Sequence, residues 1–176
     1  MKSAVVTITG VSPYSQSKHY TSDDAPKLNK ESADAYERRT WMHRMHVNAD
    51  GLVEIPGACF ANSLKGSAAR LKIQVPGKGR VEFTKYFRAG VMVVDPLVLP
   101  IKAADVKPEP LFVPSDGRAG GGKRVMKYFP RIDTWCGDVV YHVLDDIITE
   151  DVFEQVLRGS GALVGVGRFR PASGGF

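Results

Sequence analysis

Two stretches of this sequence have the residue types and spacing to hold an anion. The first is Ile55-Pro56-Gly57 followed by Ala58-Cys59-Phe60-Ala61-Asn62-Ser63-Leu64-Lys65-Gly66-Ser67-Ala68-Ala69-Arg70, which reads as a helix start with cations further along. The second is Gly165-Val166-Gly167-Arg168-Phe169-Arg170-Pro171-Ala172-Ser173-Gly174-Gly175-Phe176, a glycine-rich loop with two arginines. A helix start offers backbone N–H groups without intrahelical partners, and a glycine loop lets a phosphate reach the main chain without meeting a side chain. Together they suggest a surface for a nucleic-acid strand. A third stretch, Gly117-Arg118-Ala119-Gly120-Gly121-Gly122-Lys123-Arg124, has the Gly, four residues, Gly and Lys of a nucleotide phosphate loop. Arg124 stands where a Ser or Thr hydroxyl should hold magnesium, and Val125-Met126-Lys127-Tyr128-Phe129-Pro130 reads as β rather than the required helix. A basic loop able to close over a strand fits the composition better, with a structureless surface loop as the alternative.

Charge sharpens this reading once it is located. The net charge is +5 over 176 residues, but residues 1–64 hold seven Lys/Arg against seven Asp/Glu, residues 65–131 fourteen against five, and residues 132–176 three against seven. A polyanion partner rewards such segregation through counterion release; a solvated basic face with no partner is the alternative. The candidate binding residues are therefore Lys65, Arg70, Lys72, Lys78, Arg80, Lys85, Arg88, Arg118, Lys123, Arg124 and Lys127, joined by Gly165, Gly167, Arg168 and Arg170 from the tail. Lys and Arg neutralise phosphates without reading bases, so sequence preference should be weak. Tyr86, Phe87, Tyr128, Phe129 and Phe169 each lie near a basic residue and could stack on unpaired bases, although a core role is the more ordinary explanation.

Other chemistries are thinner. Trp41-Met42-His43-Arg44-Met45-His46 offers two histidines beside a cation, enough to remove a 2′-hydroxyl proton and stabilise a phosphorane in a metal-independent endoribonuclease. On a strand the two imidazoles would point to opposite faces, and a zinc site would lack a third ligand within any motif. Cys59 and Cys136 lie far apart without metal-type spacing and read as reduced thiols in packed positions. No cofactor is called for. No apolar run approaches the ~20 residues of a membrane span, so a cytoplasmic protein without a membrane partner is expected.

The elements that must position these residues follow from pattern. A chain 43 % apolar can bury one good core, which suggests a single domain over 1–176 with insertions at about 11–40, 74–88 and 100–131. Residues 3–10 read as a strand and 11–30 as an exposed loop. Ser32 caps a short helix over residues 33–38. Residues 40–47, the Asn48–Gly51 turn and residues 52–55 read as a hairpin that delivers the chain into a helix over about 58–72, with Ala58, Ala61, Leu64, Ala68 and Leu71 on its apolar stripe. A basic loop follows at Pro76–Arg80, then strands at about 81–87 and 90–95, and a proline-rich connection over Lys107–Pro114. Residues 138–144 form a strand. Thr149 caps a helix over residues 150–158 with Gly159 as its stop, and Ala162–Val164 lead as a last strand into the glycine loop. This order implies an α+β fold, an antiparallel RRM-like (ferredoxin-like) sheet with helices on one face and basic loop insertions.

The Ile-Pro-Gly start, the small-residue helix with Leu64-Lys65-Gly66 and Arg70 four residues on, and the closing Gly165-Val166-Gly167 with Gly174-Gly175-Phe176 resemble the signature of the CRISPR RAMP superfamily, especially its crRNA-binding backbone subunits. Gly10-Val11-Ser12-Pro13 and Gly167-Arg168-Phe169-Arg170-Pro171 are also similar to small stand-alone proteins of phage or prophage type. The topology resembles the family over most of the chain; the motifs cover about two dozen residues. The resemblance implies a modified RRM fold that binds single-stranded RNA and assembles side by side along it as a homo-oligomer or filament. It implicates Lys65 and Arg70 in phosphate contact, and Gly165, Gly167, Arg168 and Arg170 in the glycine loop. It likens segments 74–88 and 115–131 to the family's thumb and web elements. The same superfamily contains crRNA-processing endoribonucleases that pair a histidine with a C-terminal glycine loop. Single-stranded DNA in place of RNA, and an interaction protein that joins or blocks a CRISPR assembly or a phage recombination complex, stay open beside these.

Overall fold

A computed structural model describes residues 1–115 and 123–173; Arg118, most of the phosphate-loop-like segment and Gly174-Gly175-Phe176, all singled out above, lie outside them. Within the described residues the chain forms an α+β fold of antiparallel sheets and four α-helices. The elements are β1 (Lys2–Thr9), α1 (Ala33–Thr40), β2 (Leu52–Ile55), α2 (Gly57–Leu71), α3 (Thr84–Gly90), β3 (Val91–Met92), β4 (Leu97–Lys102), β5 (Lys107–Pro114), β6 (Arg124–Arg131), β7 (Cys136–Val143) and α4 (Glu150–Gly159).

The main sheet has the order β1-β7-β3, and β1 runs against β7 from Lys2↔Val143 to Thr9↔Cys136. Period-two alternation turns Ala4, Val6 and Ile8 of β1 onto the core while Ser3, Val5, Thr7 and Thr9 stay exposed. Thr7 Oγ1 donates to Asp138 Oδ1 at 2.6 Å across the open face. Two further pairs, β2-β4 and β5-β6, stand apart as two-stranded sheets. In place of one sheet, the strands therefore divide among three.

The helix α2 lies on the core face. Phe60, Leu64 and Ala68 are almost wholly buried among Val139 and Tyr141 of β7, Val53 and Ile55 of β2, Phe87 of α3, and Phe153 and Val156 of α4. The buried stripe is rotated from the expected one: Ala58 is exposed, whereas Ser63 and Ser67 are buried. Both serines have partners, because α4 does not stop at Gly159. It runs on into a π-type turn, Ser160–Val164, which replaces the strand expected at Ala162–Val164 and ends at Gly165 with φ +70. That extension leaves carbonyls facing α2. Ser63 Oγ donates to Ser160 O at 3.2 Å, Ser67 Oγ to Val156 O at 2.8 Å and Arg70 Nη1 to Leu163 O at 2.7 Å. Buried carbonyls demand such partners, which explains polar residues on an inward face.

Other expectations fail locally for identifiable reasons. Residues 41–44 are a 3-10 turn rather than a hairpin arm, although the Asn48–Gly51 turn forms, with Asn48 Oδ1 accepting from the Asp50 and Leu52 amides. Instead of hairpin pairing, β2 takes β4 as its main partner, keeping only the isolated bridge Val47↔Val53. The strand expected at 81–87 is largely helix α3, anchored when Thr84 Oγ1 donates to Ala68 O at 3.2 Å. The proline-rich connection is strand β5. Pro108, Pro110 and Pro114 share one parity, so their missing N–H groups fall where amides face away from β6, which an edge strand tolerates.

Candidate functional site

Tyr14, Ser15 and Gln16 belong to a segment that the sequence suggests is exposed, yet they are only 2 %, 1 % and 5 % exposed. Two main-chain connections bury them. Tyr14 exchanges backbone hydrogen bonds with Ile132, and Ser15 O accepts from Arg168 N at 2.9 Å. The glycine loop thus closes over the Tyr14–Gln16 segment. Only glycine can do so at 167: φ is +78, and a Cβ there would sit 2.7 Å from Tyr14 Cδ2 and 2.9 Å from Ser15 O. Arg170 Nη1 then donates to Gly167 O at 3.0 Å, folding the loop back on itself.

Where this loop meets the start of α2 there is a polar cavity of about 500 Å³, walled by Ser15, Gln16, His46, Pro56, Cys59, Gly167, Arg168, Arg170 and Ser173. The N-cap of α2 is Pro56, which brings no side-chain oxygen to the first-turn amides. On the far side of the loop is a more apolar cavity of about 410 Å³, lined among others by Phe60, Trp135, Tyr141, Val166 and Phe169. Arg170 borders both cavities.

The two loop arginines differ. The Arg168 guanidinium lies 3.6 Å from the centroid of the Phe129 ring, with Arg44 stacked against the same ring at 5.0 Å. Burial, reinforced by the nearby Arg44 charge and opposed by Glu109, lowers the Arg168 pKa from its ordinary value. Arg168 is thus a post that ties the loop to β6. Arg170 is exposed. Burial pushes the Cys59 thiol up, with Arg170 opposing, so the sulfur is a protonated wall rather than a nucleophile at neutral pH. Burial, aided by Lys18 and opposed by Glu54, holds the His46 imidazole below its usual pKa, so it is neutral there. His43 lines a different hollow with His19, Tyr20 and Asp24, so the structure separates the two histidines.

The cations named from sequence form three groups. Arg168 and Arg170 flank the polar cavity. Arg70, Lys72, Lys78 and Lys85 gather around the C-terminal end of α2 and the start of α3, where Lys78 and Lys85 bring their ammonium groups 5.7 and 4.8 Å from the Tyr86 centroid. Arg80 and Arg88 are exposed in the same stretch of chain, and Lys65 is half-buried midway along α2. Lys123, Arg124 and Lys127 belong to the β5-β6 ribbon, where Arg124 Nη2 donates to Phe112 O at 2.6 Å. With 1.5 Å rise per helical residue, Arg70 is about 17 Å along α2 from Cys59; with 3.4 Å per strand residue, Arg124 is about 17 Å along β6 from Phe129. The charges therefore do not share one pocket. Of the aromatics, Phe87, Tyr128 and Phe129 are buried, while Tyr86 and Phe169 remain partly open.

Sequence reasoning missed Ser15, Gln16 and the Arg44–Phe129–Arg168 stack. No local signal marks them, because their burial depends on contacts with Ile132 and with the tail. Among the described residues no group of three or more His, Cys, Asp and Glu side chains gathers as a metal site, and no helix is long and apolar enough to cross a membrane. No family model, no curated protein and no solved structure matches the chain.

Proposed function

We propose that this protein binds single-stranded nucleic acid, RNA in preference to DNA, mainly through phosphate contacts that pass over the glycine loop and the start of α2. The observation that carries the reading is the polar cavity, where an uncapped helix start, the main chain at Gly167 and the exposed Arg170 meet, with Arg168 holding the loop in place. Backbone amides and guanidinium groups are the chemistry that takes phosphate oxygens. The two outlying cation groups, about 17 Å along α2 from Cys59 and about 17 Å along β6 from Phe129, extend the footprint beyond the cavity. Lys78, Lys85 and Tyr86 offer charge beside an aromatic face for a base.

The topology lends further support. The sequence β1-α2-β3-β7-α4 with sheet order β1-β7-β3 follows a split βαβ arrangement up to its last strand. At the point where that strand would follow, the chain makes the π-type turn and the glycine loop. A RAMP-like, modified RRM assignment is our reading of this pattern. Side-by-side assembly along the strand, a cytoplasmic site of action and a role beside CRISPR or phage recombination proteins belong to the same reading.

Gel shifts with labelled single-stranded RNA, single-stranded DNA and duplex at two salt concentrations test it. Shifts of intact strands that weaken steeply with salt, by about 0.7 in logarithmic slope for each phosphate contact, are expected. A preference for RNA would reflect 2′-hydroxyl contacts. A folded protein that shifts nothing would replace this reading with that of a protein-interaction subunit.

One observation favours a nuclease as the second reading. Neutral His46 shares the polar cavity with Arg168 and Arg170. It would take the 2′-hydroxyl proton while the 2′-oxygen attacks the adjacent phosphorus and the bond to the 5′-oxygen breaks, that oxygen leaving as the hydroxyl with a proton from water, and Arg170 would face the developing charge. Shortened RNA that disappears in His46→Ala, and not in His43→Ala, would establish it.

A further inference from the structure

Gln16 is a wall residue of the polar cavity, is 95 % buried by its 5 % exposure, and has no hydrogen-bond partner on either amide atom among the described residues. Ser15 Oγ and Arg168 Nε, on neighbouring wall residues, are likewise buried and unpartnered. Buried polar groups are normally paired. Arg44 Nε and Glu109 Oε2 are also unmet away from this wall, but four of the six unmet atoms among the described residues fall on it, and Gln16 alone leaves both a donor atom and an acceptor atom open. We propose that the missing partner is one unstacked base of the bound strand, and that Gln16 hydrogen-bonds its edge. The inference rests on the strand-binding reading above and adds a base preference at one position of the footprint.

The chemistry selects among ligands. A carboxamide presents a donor and an acceptor side by side, as base edges do, and adenine can meet both at once. A phosphate has only acceptors and would satisfy Nε2 while leaving Oε1 unmet. An apolar ligand would satisfy neither. A volume of about 500 Å³ falls in the ~300–1,000 Å³ range of small-ligand sites. The backbone phosphate of the same nucleotide would stay at the rim, at the uncapped first turn of α2 and the exposed Arg170. The Gln16 amide atoms are themselves fully covered, so contact requires the side chain to turn. That turn breaks no hydrogen bond.

The test is fluorescence anisotropy of short labelled homopolymers of adenylate, cytidylate and uridylate with the full chain and with Gln16→Met and Gln16→Ala, alongside thermal denaturation. The full chain should rank the homopolymers with a spread of about fivefold or more, the lower end of what one base contact provides. Both variants should bring the three within about twofold by losing affinity for the favoured one alone. The melting temperature of the near-isosteric Gln16→Met should not fall, since the amide it removes has no partner. Equal binding of all three homopolymers by the full chain, a ranking that survives both substitutions, or a Gln16→Met protein melting several degrees lower would overturn the inference while leaving strand binding intact. If a folded chain binds none of them, the strand-binding reading falls first and this inference with it.

Discussion

Arg168 and Arg170 sit two residues apart on one loop, and the structure assigns them different work. Replacing Arg168 by alanine removes a guanidinium held 3.6 Å from the Phe129 centroid in a half-buried setting. A desolvated cation–π contact of this kind is worth about 2 kcal/mol. Relief of repulsion with Arg44, which also faces Phe129, offsets a part of that loss. For a chain of this length each kcal/mol moves the melting temperature by ~2–4 °C, so the full contact would be worth ~4–8 °C and Arg168→Ala should melt lower by the part of that which the offset leaves. Arg168→Lys keeps the charge and loses the planar stack, and should recover little. Arg170→Ala, on an exposed side chain, should melt within ~2 °C of the parent yet weaken strand binding evenly across sequences. Its logarithmic salt slope should be shallower by about 0.7. Differential scanning calorimetry and salt-titrated anisotropy on the same preparations read both quantities. The reasoning is refuted if Arg168→Ala keeps its melting temperature and loses the same salt slope as Arg170→Ala, for Arg168 would then be a free phosphate ligand and its stack incidental.

Gly167→Ala forces a side chain into positive φ and drives its Cβ against Tyr14 and Ser15 O, at a cost of about 3 kcal/mol, read as a fall of ~6–12 °C in melting temperature. His46 has its folded pKa lowered, so the unfolded chain binds the proton more readily. Its contribution to stability is full above the unfolded value of about 6.5 and declines as pH falls from there toward the folded value. His46→Gln should therefore flatten the dependence of melting temperature on pH just below that point, and an unchanged profile would remove burial of the imidazole as its cause. The Glu31 carboxyl is held down to about 2, first by its hydrogen bond from Arg39 and then by the Leu28 amide. The stability this clamp supplies is present above the ordinary value of 4.5 and is lost as pH falls toward the folded value, so Glu31→Gln should lose mainly that acid-side sensitivity in a pH-resolved melting series.

Helix starts were legible because their determinants are local. Ser32 Oγ accepts from Ala35 N and Thr149 Oγ1 from Val152 N, as cap chemistry dictates. The turn at Asn48–Gly51 is equally self-contained. The segment 81–87 misled because Val81, Phe83 and Phe87 mix strand-like residue types with a helical burial pattern that only packing on α2 decides. Gly159 reads as a stop, yet Ser63, Ser67 and Arg70 satisfy the carbonyls that let the turn continue. The prolines of β5 suggest irregular chain, and their shared parity becomes informative only once β6 is the partner. At the candidate site the glycine loop and its arginines were readable, whereas burial of Ser15 and Gln16 depends on residues more than a hundred positions away.

That last distance governs how the molecule can be made. The Tyr14–Gln16 segment reaches its native surroundings only after Ile132 and Arg168 have arrived, and β1 finds its hydrogen-bonding partner only in β7. Contacts of such high order raise the entropic barrier to folding. During synthesis β1 stays unmatched until β7, more than a hundred residues later, has emerged. Refolding should accordingly be slow, with the cavity among the last features to mature.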